Sequence, residues 1–200
     1  GRPGPVLIDL PKDVTSNECT ADFPDRIELP GYRFSPQPDP ARLEEVARLL
    51  RRSRRPLIDA GGGGIGAGAH DALKAFAEKL RVPVANTLLG KGAFPEQHPL
   101  SVGMLGMHGT AYANWAVSGE YRKEETEDGS EHVVEIAPGA DLLLAFGVRF
   151  DDRVTGKVDK FCEKGTIVHV DLDASELNKN RVVQLAVVSE IRYTLTRLNE

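Results

Sequence analysis

Short apolar runs alternate along this chain with segments in which apolar residues recur at helical spacing. Each run is long enough for a strand that is buried on both faces. The runs occupy residues 56–60, 82–86, 141–146, 166–171 and 183–188, and the helical segments lie around residues 43–50, 73–80, 111–117 and 191–198. Alternating strands and helices predict an α/β fold, a Rossmann-like parallel sheet of about six strands flanked by helices.

Local signals mark the ends of two helices. Asp39 and Pro40 supply an N-cap and a proline at the first helical position, and Thr110 is a candidate N-cap further along. The apolar stripe of the second helix is predicted to bury Leu73, Phe76, Ala77 and Leu80.

The first 38 residues are organised differently. Residues 5–10 form an apolar run between prolines, which predicts a strand at the end of a preceding domain, residues 1–13. Residues 14–38 are rich in proline and lack periodicity, so we expect a linker there and the main domain at residues 39–200. Because the chain starts with Gly1 and reaches this strand almost at once, we expect a fragment of a longer protein.

Residues 120–139 interrupt the alternation. They are rich in glutamate and short of apolar periodicity, which predicts an exposed extra loop. We interpret this segment as either a lineage-specific solvent loop or translated intron sequence.

Composition excludes several functions. The formal net charge is −5, and no basic face indicates nucleic acid or an anionic membrane as a partner. Cys19 and Cys162 lie far apart, and no histidine spacing indicates a metal site. No apolar run is long enough for a membrane helix, and there is no G-x-S-x-G elbow. These features favour a binding fold without a reactive centre or metal of its own.

Loops that leave the predicted strands carry the candidate chemistry, because ligands of open parallel sheets bind beyond the carboxyl ends of the strands. These loops are residues 61–64, 87–89, 147–153, 171–173 and 189–191. The first contains G-x-G-x-x-G, whose glycines let backbone amides approach a pyrophosphate. An NAD site would also need an acid after the second strand to bind the ribose, but Asn86 and Thr87 occupy that position. Two other interpretations of the glycine loop therefore stay open: a tight structural turn, and a site for another nucleotide.

Four charged residues follow the strand at residues 141–146. Arg149 and Arg153 enclose Asp151 and Asp152. Guanidinium groups suit phosphate oxygens, but a surface cluster of self-paired charges is an equally good interpretation. His108, ahead of a predicted helix, is either a hydrogen-bond partner for a ligand ring or a structural histidine.

Several motifs together resemble the catalytic subunits of the acetolactate synthase (acetohydroxyacid synthase) family of thiamine-diphosphate enzymes. They are GRPGPVLIDLPKD at residues 1–13, the triple glycine at 61–63, LGMHGT at 105–110, FGVRFDDRVTGK at 146–157 and HVDLD at 169–173. The resemblance covers nearly the whole chain apart from residues 120–139. It implies the central domain of a three-domain enzyme, with a sheet of the DHS-like NAD/FAD-binding type.

The resemblance also implies a function for the parent protein. Family members decarboxylate pyruvate on thiamine diphosphate and join the hydroxyethyl unit to a second pyruvate or to 2-oxobutanoate, in branched-chain amino acid (valine and isoleucine) biosynthesis. The activating glutamate belongs to the preceding domain, and the magnesium and diphosphate ligands belong to the following one. We therefore expect no catalytic residue and no turnover in this chain alone.

Partners and location are implied in the same way. The expected partners are the parent's own amino- and carboxy-terminal domains, a homodimer or homotetramer, and a regulatory small subunit, with no nucleic acid and no membrane. The expected location is the chloroplast if the source is a plant or alga, and otherwise the cytoplasm.

By the family pattern this domain binds FAD, with no net redox role for the flavin. The implied flavin contacts are Arg2, Gly61, Gly62, Gly63, Thr87, Leu88, Leu105, His108, Gly147, Arg149, Asp151, Arg153, Val154, Asp171 and Leu172. The residues implied to border the substrate channel, where herbicide-type inhibitors bind, are Lys12, Met107, His108, Asp152 and Arg153.

One departure from the family pattern concerns the adenine end of the flavin. The family usually has Val-x-Gly-Asp before the last helix. In this chain the last three positions of that pattern are Val188, Ser189 and Glu190. Glu190 therefore replaces an aspartate and becomes a candidate flavin contact. Two alternatives stay open: an NAD-binding enzyme domain of similar fold, and a structural spacer domain of another thiamine-diphosphate enzyme.

Overall fold

The computed structural model describes residues 4–25, 37–126 and 128–200. The chain divides into two compact units, residues 1–34 and residues 35–200, and each is described by itself. The candidate residue Arg2 and most of the second half of the predicted linker lie outside the described residues.

The first unit contains one short helix, α1 (Lys12–Ser16), within its described residues. The strand predicted at residues 5–10 is not formed, and Val6, Leu7 and Ile8 are 86%, 93% and 74% exposed. A strand is stabilised by hydrogen bonds and side-chain pairs with a neighbouring strand, and no described residue of this unit supplies one. The prediction of a strand here was wrong for this chain.

The second unit is built from repeated strand and helix segments. Its strands are β1 (Pro56–Ala60), β2 (Val84–Asn86), β3 (Ser101–Met104), β4 (Glu120–Glu125), β5 (Glu131–Ala137), β6 (Leu142–Phe146), β7 (Thr166–Asp171) and β8 (Leu185–Val188). Its helices are α2 (Pro40–Arg52), α3 (Gly62–Gly66), α4 (His70–Leu80), α5 (Ala111–Ser118), α6 (Asp152–Thr155) and α7 (Ile191–Asn199), with a 3-10 turn at Leu88–Gly90.

Six strands form one sheet in the order β3-β2-β1-β6-β7-β8, and every neighbouring pair in it is parallel. The predicted α/β fold with a parallel sheet of about six strands is confirmed. Five of its strands coincide with the predicted apolar runs. The sixth, β3, was not predicted, because its four partly buried residues include Gly103 and form no apolar run.

The two faces of the sheet are covered by different helices. Along β6, Leu142, Leu144 and Phe146 belong to the core layer that also contains side chains of α2, α4 and α7. Leu143 and Ala145 belong to the opposite layer, with side chains of α5. Each fully buried leucine or phenylalanine contributes about 1.5–3 kcal/mol, so strand burial on both faces is a main source of stability. In α4 the predicted stripe is buried except for Leu80, which is 42% exposed.

Side-chain caps fix two helix starts where the sequence predicted them. The Asp39 carboxylate accepts a hydrogen bond from the Ala41 amide at 3.0 Å, and Pro40 opens α2. The Thr110 hydroxyl accepts one from the Ala113 amide at 3.1 Å and opens α5. Both interactions satisfy amides that the first turn of a helix leaves unpaired.

Residues 120–139, expected as an extra loop, fold as an antiparallel hairpin of β4 and β5. Most of its described side chains are exposed. Contacts at its base come from Lys164, which pairs with Glu135 and lies 5.6 Å from the Tyr121 ring centroid. Most side chains of β4 face water, so its sequence is charged and lacks the apolar pattern that predicts a strand.

None of the helices in the described ranges is long and apolar enough to cross a membrane.

Candidate functional site

The order of strands in the sheet reverses between β1 and β6. Chain connections run outward on both sides of this pair, which makes it a topological switch point. The loops that follow the two strands are hydrogen-bonded to each other, with the Gly61 amide donating to the Phe146 carbonyl at 2.9 Å and the Gly63 amide to the Gly147 carbonyl at 3.2 Å. In open parallel sheets a crevice for ligands forms at this position.

Glycine is required here because the two loops touch through their backbones. A Cβ atom on Gly61 would lie 2.1 Å from the Gly147 oxygen, and one on Gly63 would lie 2.7 Å from the Gly147 Cα. A Cβ on Gly66 would meet no atom within 4 Å. The G-x-G-x-x-G pattern is thus explained at its first two glycines by loop packing, whether or not a phosphate also lies there.

The loop after β6 presents the charged residues that the sequence singled out. Arg149 pairs with Asp151 at 3.3 Å, and their side chains are 46% and 35% exposed. Asp151 also caps α6, because its carboxylate accepts a hydrogen bond from the Val154 amide at 3.2 Å. Asp152 and Arg153 are exposed, and Arg153 makes no ion pair with any residue in the described ranges. One arginine is therefore self-paired and the other is free for an anion.

The loop after β3 joins the same region. The Met107 amide donates to the Arg153 carbonyl at 2.9 Å. Gly106, at φ +100°, allows this approach, since a Cβ there would lie 2.3 Å from the Arg153 oxygen. Met107 and His108 are exposed. The structure thus brings Met107, His108 and Arg153 together on one edge of the sheet.

Three proposed flavin contacts have buried side chains that serve the fold. Leu105 is 3% exposed and Val154 is 9% exposed. The Thr87 hydroxyl accepts a hydrogen bond from the Gly90 amide at 3.1 Å and caps the 3-10 turn. Contacts from these residues to a ligand would use backbone atoms. Leu88, by contrast, is 67% exposed.

The ends of β7 and β8 complete the edge. Asp171 and Leu172 are half-buried, and the Asp173 amide donates to the Asp171 carboxylate at 2.9 Å. Glu190 is the N-cap of α7, because its carboxylate accepts hydrogen bonds from the amides of Arg192 at 3.0 Å and Tyr193 at 2.7 Å. A capping role therefore accounts for an acid at this position.

Replacing Glu190 with alanine is expected to lower the free energy of unfolding by about 1 kcal/mol, the usual value of a helix N-cap. Urea unfolding of the purified chain measures it. The control is Glu163→Ala, which removes an exposed glutamate paired with Lys160 at 2.9 Å and should cost at most about 0.5 kcal/mol. An equal decrease in the free energy of unfolding in the two variants would show that the Glu190 cap contributes no more than an exposed ion pair.

Lys12 lies on α1, in the first unit.

Two buried titratable groups were missed by the sequence reading. Asp59 on β1 is fully buried, and within the described residues neither carboxylate oxygen has a hydrogen-bond partner. Burial raises the pKa of Asp59 to about 8. Burial also lowers the pKa of His169, on β7, to about 4. Both side chains are therefore mainly uncharged at pH 7. The signal in the sequence was a titratable residue inside each predicted buried strand.

Within the described ranges, no group of three or more His, Cys, Asp or Glu side chains is placed to hold a metal ion. The fold and the switch-point edge define an α/β domain with an open, doubly wound parallel sheet.

Comparisons with known proteins identify the family. The model of the family "Thiamine pyrophosphate enzyme, central domain" matches residues 43–120 and 126–198. The chain belongs to this family of central domains. The gap in the match, at residues 121–125, falls in β4 of the hairpin.

Curated relatives have consistent names. The chain is 43% identical over 201 residues to acetolactate synthase 1, chloroplastic, of Oryza sativa, covering all of this chain and 28% of the relative. It is 45% identical to the acetolactate synthase large subunit of Parasynechococcus marenigrum, covering 30% of that protein, and 39% identical to acetolactate synthase of Mycobacterium bovis, covering 29%. The chain thus spans less than a third of the length of these relatives.

A solved structure agrees with the family. It is assigned to the thiamin diphosphate-dependent enzymes, comes from Mycobacterium smegmatis, and matches with a TM-score of 0.62 at 26% identity. The match covers 86% of this chain and 29% of the other.

Proposed function

We propose that this chain is the FAD-binding central domain of an acetolactate synthase. The parent would condense two pyruvates, or pyruvate and 2-oxobutanoate, using thiamine diphosphate and Mg²⁺ held by its other domains. The support is the identity of 39–45% to proteins of that name over essentially the whole chain. The structural observation that carries the proposal is the exposed Arg149 and Arg153 loop beside the switch point between β1 and β6.

The residues present fit a flavin dinucleotide. FAD carries two phosphates, and guanidinium groups and backbone amides at a strand-end loop are suitable donors for them. Arg149 and Arg153 supply two guanidiniums on the loop after β6. The end of β2 carries Asn86, which is 2% exposed, instead of an exposed acid for an NAD ribose. The donor set therefore favours FAD over NAD.

This chain's residues would bind and orient the cofactor and border the substrate. Arg149 would hold phosphate, with Asp151 fixing the guanidinium through their 3.3 Å contact. Gly61, Gly62, Gly63 and Gly147 remain proposed flavin contacts through their backbone atoms. Bound FAD would supply a flavin ring without net oxidation or reduction. Arg2, Leu88, Asp171, Leu172 and Glu190 remain proposed flavin contacts, and backbone atoms of Thr87, Leu105 and Val154 would serve in the same way.

The proposed substrate channel follows the exposed edge of the same crevice. Met107 and His108 would border it beside Asp152 and Arg153, and Lys12 stays a proposed residue of the channel. We also propose the remaining domains of the parent, a homodimer or homotetramer and a regulatory small subunit as partners. The location would be the chloroplast in a plant or alga and the cytoplasm otherwise.

Arg149→Ala is expected to weaken FAD binding by the full-length parent about tenfold or more, because a hydrogen bond to a charged group contributes roughly 1.5–3 kcal/mol. Flavin absorbance and fluorescence of the purified parent and variant measure this. Arg122→Ala, on the exposed strand β4, is the control and should leave flavin binding unchanged. A parent that retains NAD and no flavin would overturn the proposal. A parent that binds no nucleotide would favour a structural spacer.

A further inference from the structure

Phe150 has an unusual backbone for a bulky residue. It lies in the loop after β6 with φ +50°, in the left-handed region. Side chains with a Cβ atom rarely adopt this conformation, and it persists where the surrounding structure holds it in place. Its neighbours in the sequence are Arg149, the proposed phosphate-binding residue, and Asp151, which pairs with it.

The Phe150 ring is held in the core by two aromatic contacts. The side chain is 1% exposed. Its ring packs edge-to-face on His169 of β7, with centroids 4.9 Å apart and planes at 73°, and on Phe161 at 5.9 Å. Burial of a phenylalanine and two ring contacts together outweigh the backbone cost. The buried ring thus fixes an otherwise unfavourable backbone conformation.

The inward ring separates two outward side chains. Arg149 is exposed and Asp151 is half-buried on either side of the buried Phe150, and their side chains meet at 3.3 Å. The Arg149 carbonyl is also fixed, because the Asn180 side-chain amide donates to it at 2.8 Å. The orientation of the Arg149 side chain therefore depends on the anchored residue next to it.

We propose that Phe150, seated on His169, is a positioning residue that aims the Arg149 guanidinium at the phosphates of the bound dinucleotide. Phe150 itself does not contact the ligand. This inference rests on the proposed FAD function and names a residue that acts through Arg149.

A matched pair of variants in the full-length parent tests this. Phe150→Leu keeps an apolar side chain but removes the ring contact. Phe94→Leu is the control, since Phe94 is fully buried and packs edge-to-face on His98 at 5.0 Å and 74°, and it belongs to the core layer on the other face of the sheet. Both variants should lower the melting temperature to a similar extent. FAD titration followed by flavin fluorescence should show at least tenfold weaker binding for Phe150→Leu and unchanged binding for Phe94→Leu.

A double variant shows whether Phe150 acts through Arg149. If it does, Phe150→Leu combined with Arg149→Ala should bind FAD no more weakly than Arg149→Ala alone, because the contact is already lost. The dependence of FAD affinity on salt should also fall equally in Phe150→Leu and Arg149→Ala, since both lose a charged contact. A purely structural role for Phe150 would not change the salt dependence.

The outcomes separate the two proposals. A parent without flavin overturns the proposed function and this inference together. A parent with flavin, and a Phe150→Leu variant that binds it as tightly, overturns this inference alone. Additive losses in the double variant also overturn it, because Phe150 would then act independently of Arg149.

Discussion

Replacing Gly147 with alanine is expected to lower the free energy of unfolding by about 2–5 kcal/mol. Gly147 has φ +64°, a conformation that costs a residue with a Cβ about 1–2 kcal/mol. The added Cβ would also lie 2.5 Å from the Gly63 Cα and 2.9 Å from the Gly63 nitrogen. These are backbone atoms that cannot rotate away, so overpacking adds about 1–3 kcal/mol.

A second glycine separates the two costs. Gly68 has a similar φ of +58°, but an added Cβ would meet nothing within 4 Å. Gly68→Ala should therefore pay the backbone cost alone, about 1–2 kcal/mol. Urea unfolding of both variants of the purified chain makes the comparison. Equal losses would show that the loops after β1 and β6 can move apart, and that their close contact is not required by the fold.

Periodicity made the sheet predictable because its strands are buried on both faces. β1, β6 and β7 are apolar runs flanked by loops, and five buried residues of β6 show this directly. The parallel arrangement then placed the candidate loops on one edge. This reasoning does not depend on side-chain detail, so it gave the fold and the general position of the site.

Elements stabilised by particular contacts were not predictable in the same way. β3 is partly buried and contains a glycine with φ +90°, and β4 is exposed and charged. The amino-terminal apolar run had strand composition but no partner among the described residues. In each case the deciding factor was the neighbouring segment, which one-dimensional periodicity does not contain.

At the candidate site, residue types were easier to predict than their roles. The sequence predicted Arg149, Asp151 and Glu190 as flavin contacts. The structure shows that Asp151 and Glu190 also cap helices. Phe150 was part of a recognised motif, yet its left-handed backbone has no sequence signal, because phenylalanine rarely adopts it. A positioning residue of this kind can be identified only from the three-dimensional structure.

Asp59→Asn is expected to remove a strong pH dependence of stability. The pKa of Asp59 rises from 3.8 to about 8 on burial, so between these pH values the folded protein keeps a proton that the unfolded chain releases. Stability contributed by the neutral carboxyl is therefore complete below pH 3.8 and is lost as the pH rises towards 8, at about 1.4 kcal/mol per pH unit. The free energy of unfolding of Asp59→Asn, relative to that of the unsubstituted chain, should increase by about 4 kcal/mol from pH 5 to pH 8.

Asp141 provides a control of opposite sign. Burial alone would raise its pKa, but hydrogen bonds from Ser53 and from the amides of Arg54 and Arg55 together hold the pKa of Asp141 below its ordinary value. Asp141 thus contributes stability above its unfolded pKa of 3.8 that is lost as the pH falls. Urea unfolding from pH 5 to pH 8 should show that Asp59→Asn becomes more stable relative to the unsubstituted chain as the pH rises. Asp141→Asn should be less stable than the unsubstituted chain throughout this range.

A stability difference between Asp59→Asn and the unsubstituted chain that stays constant with pH would mean that Asp59 is already ionised in the folded protein. Such an ionised carboxylate would need a partner, because an isolated buried charge is too costly to persist.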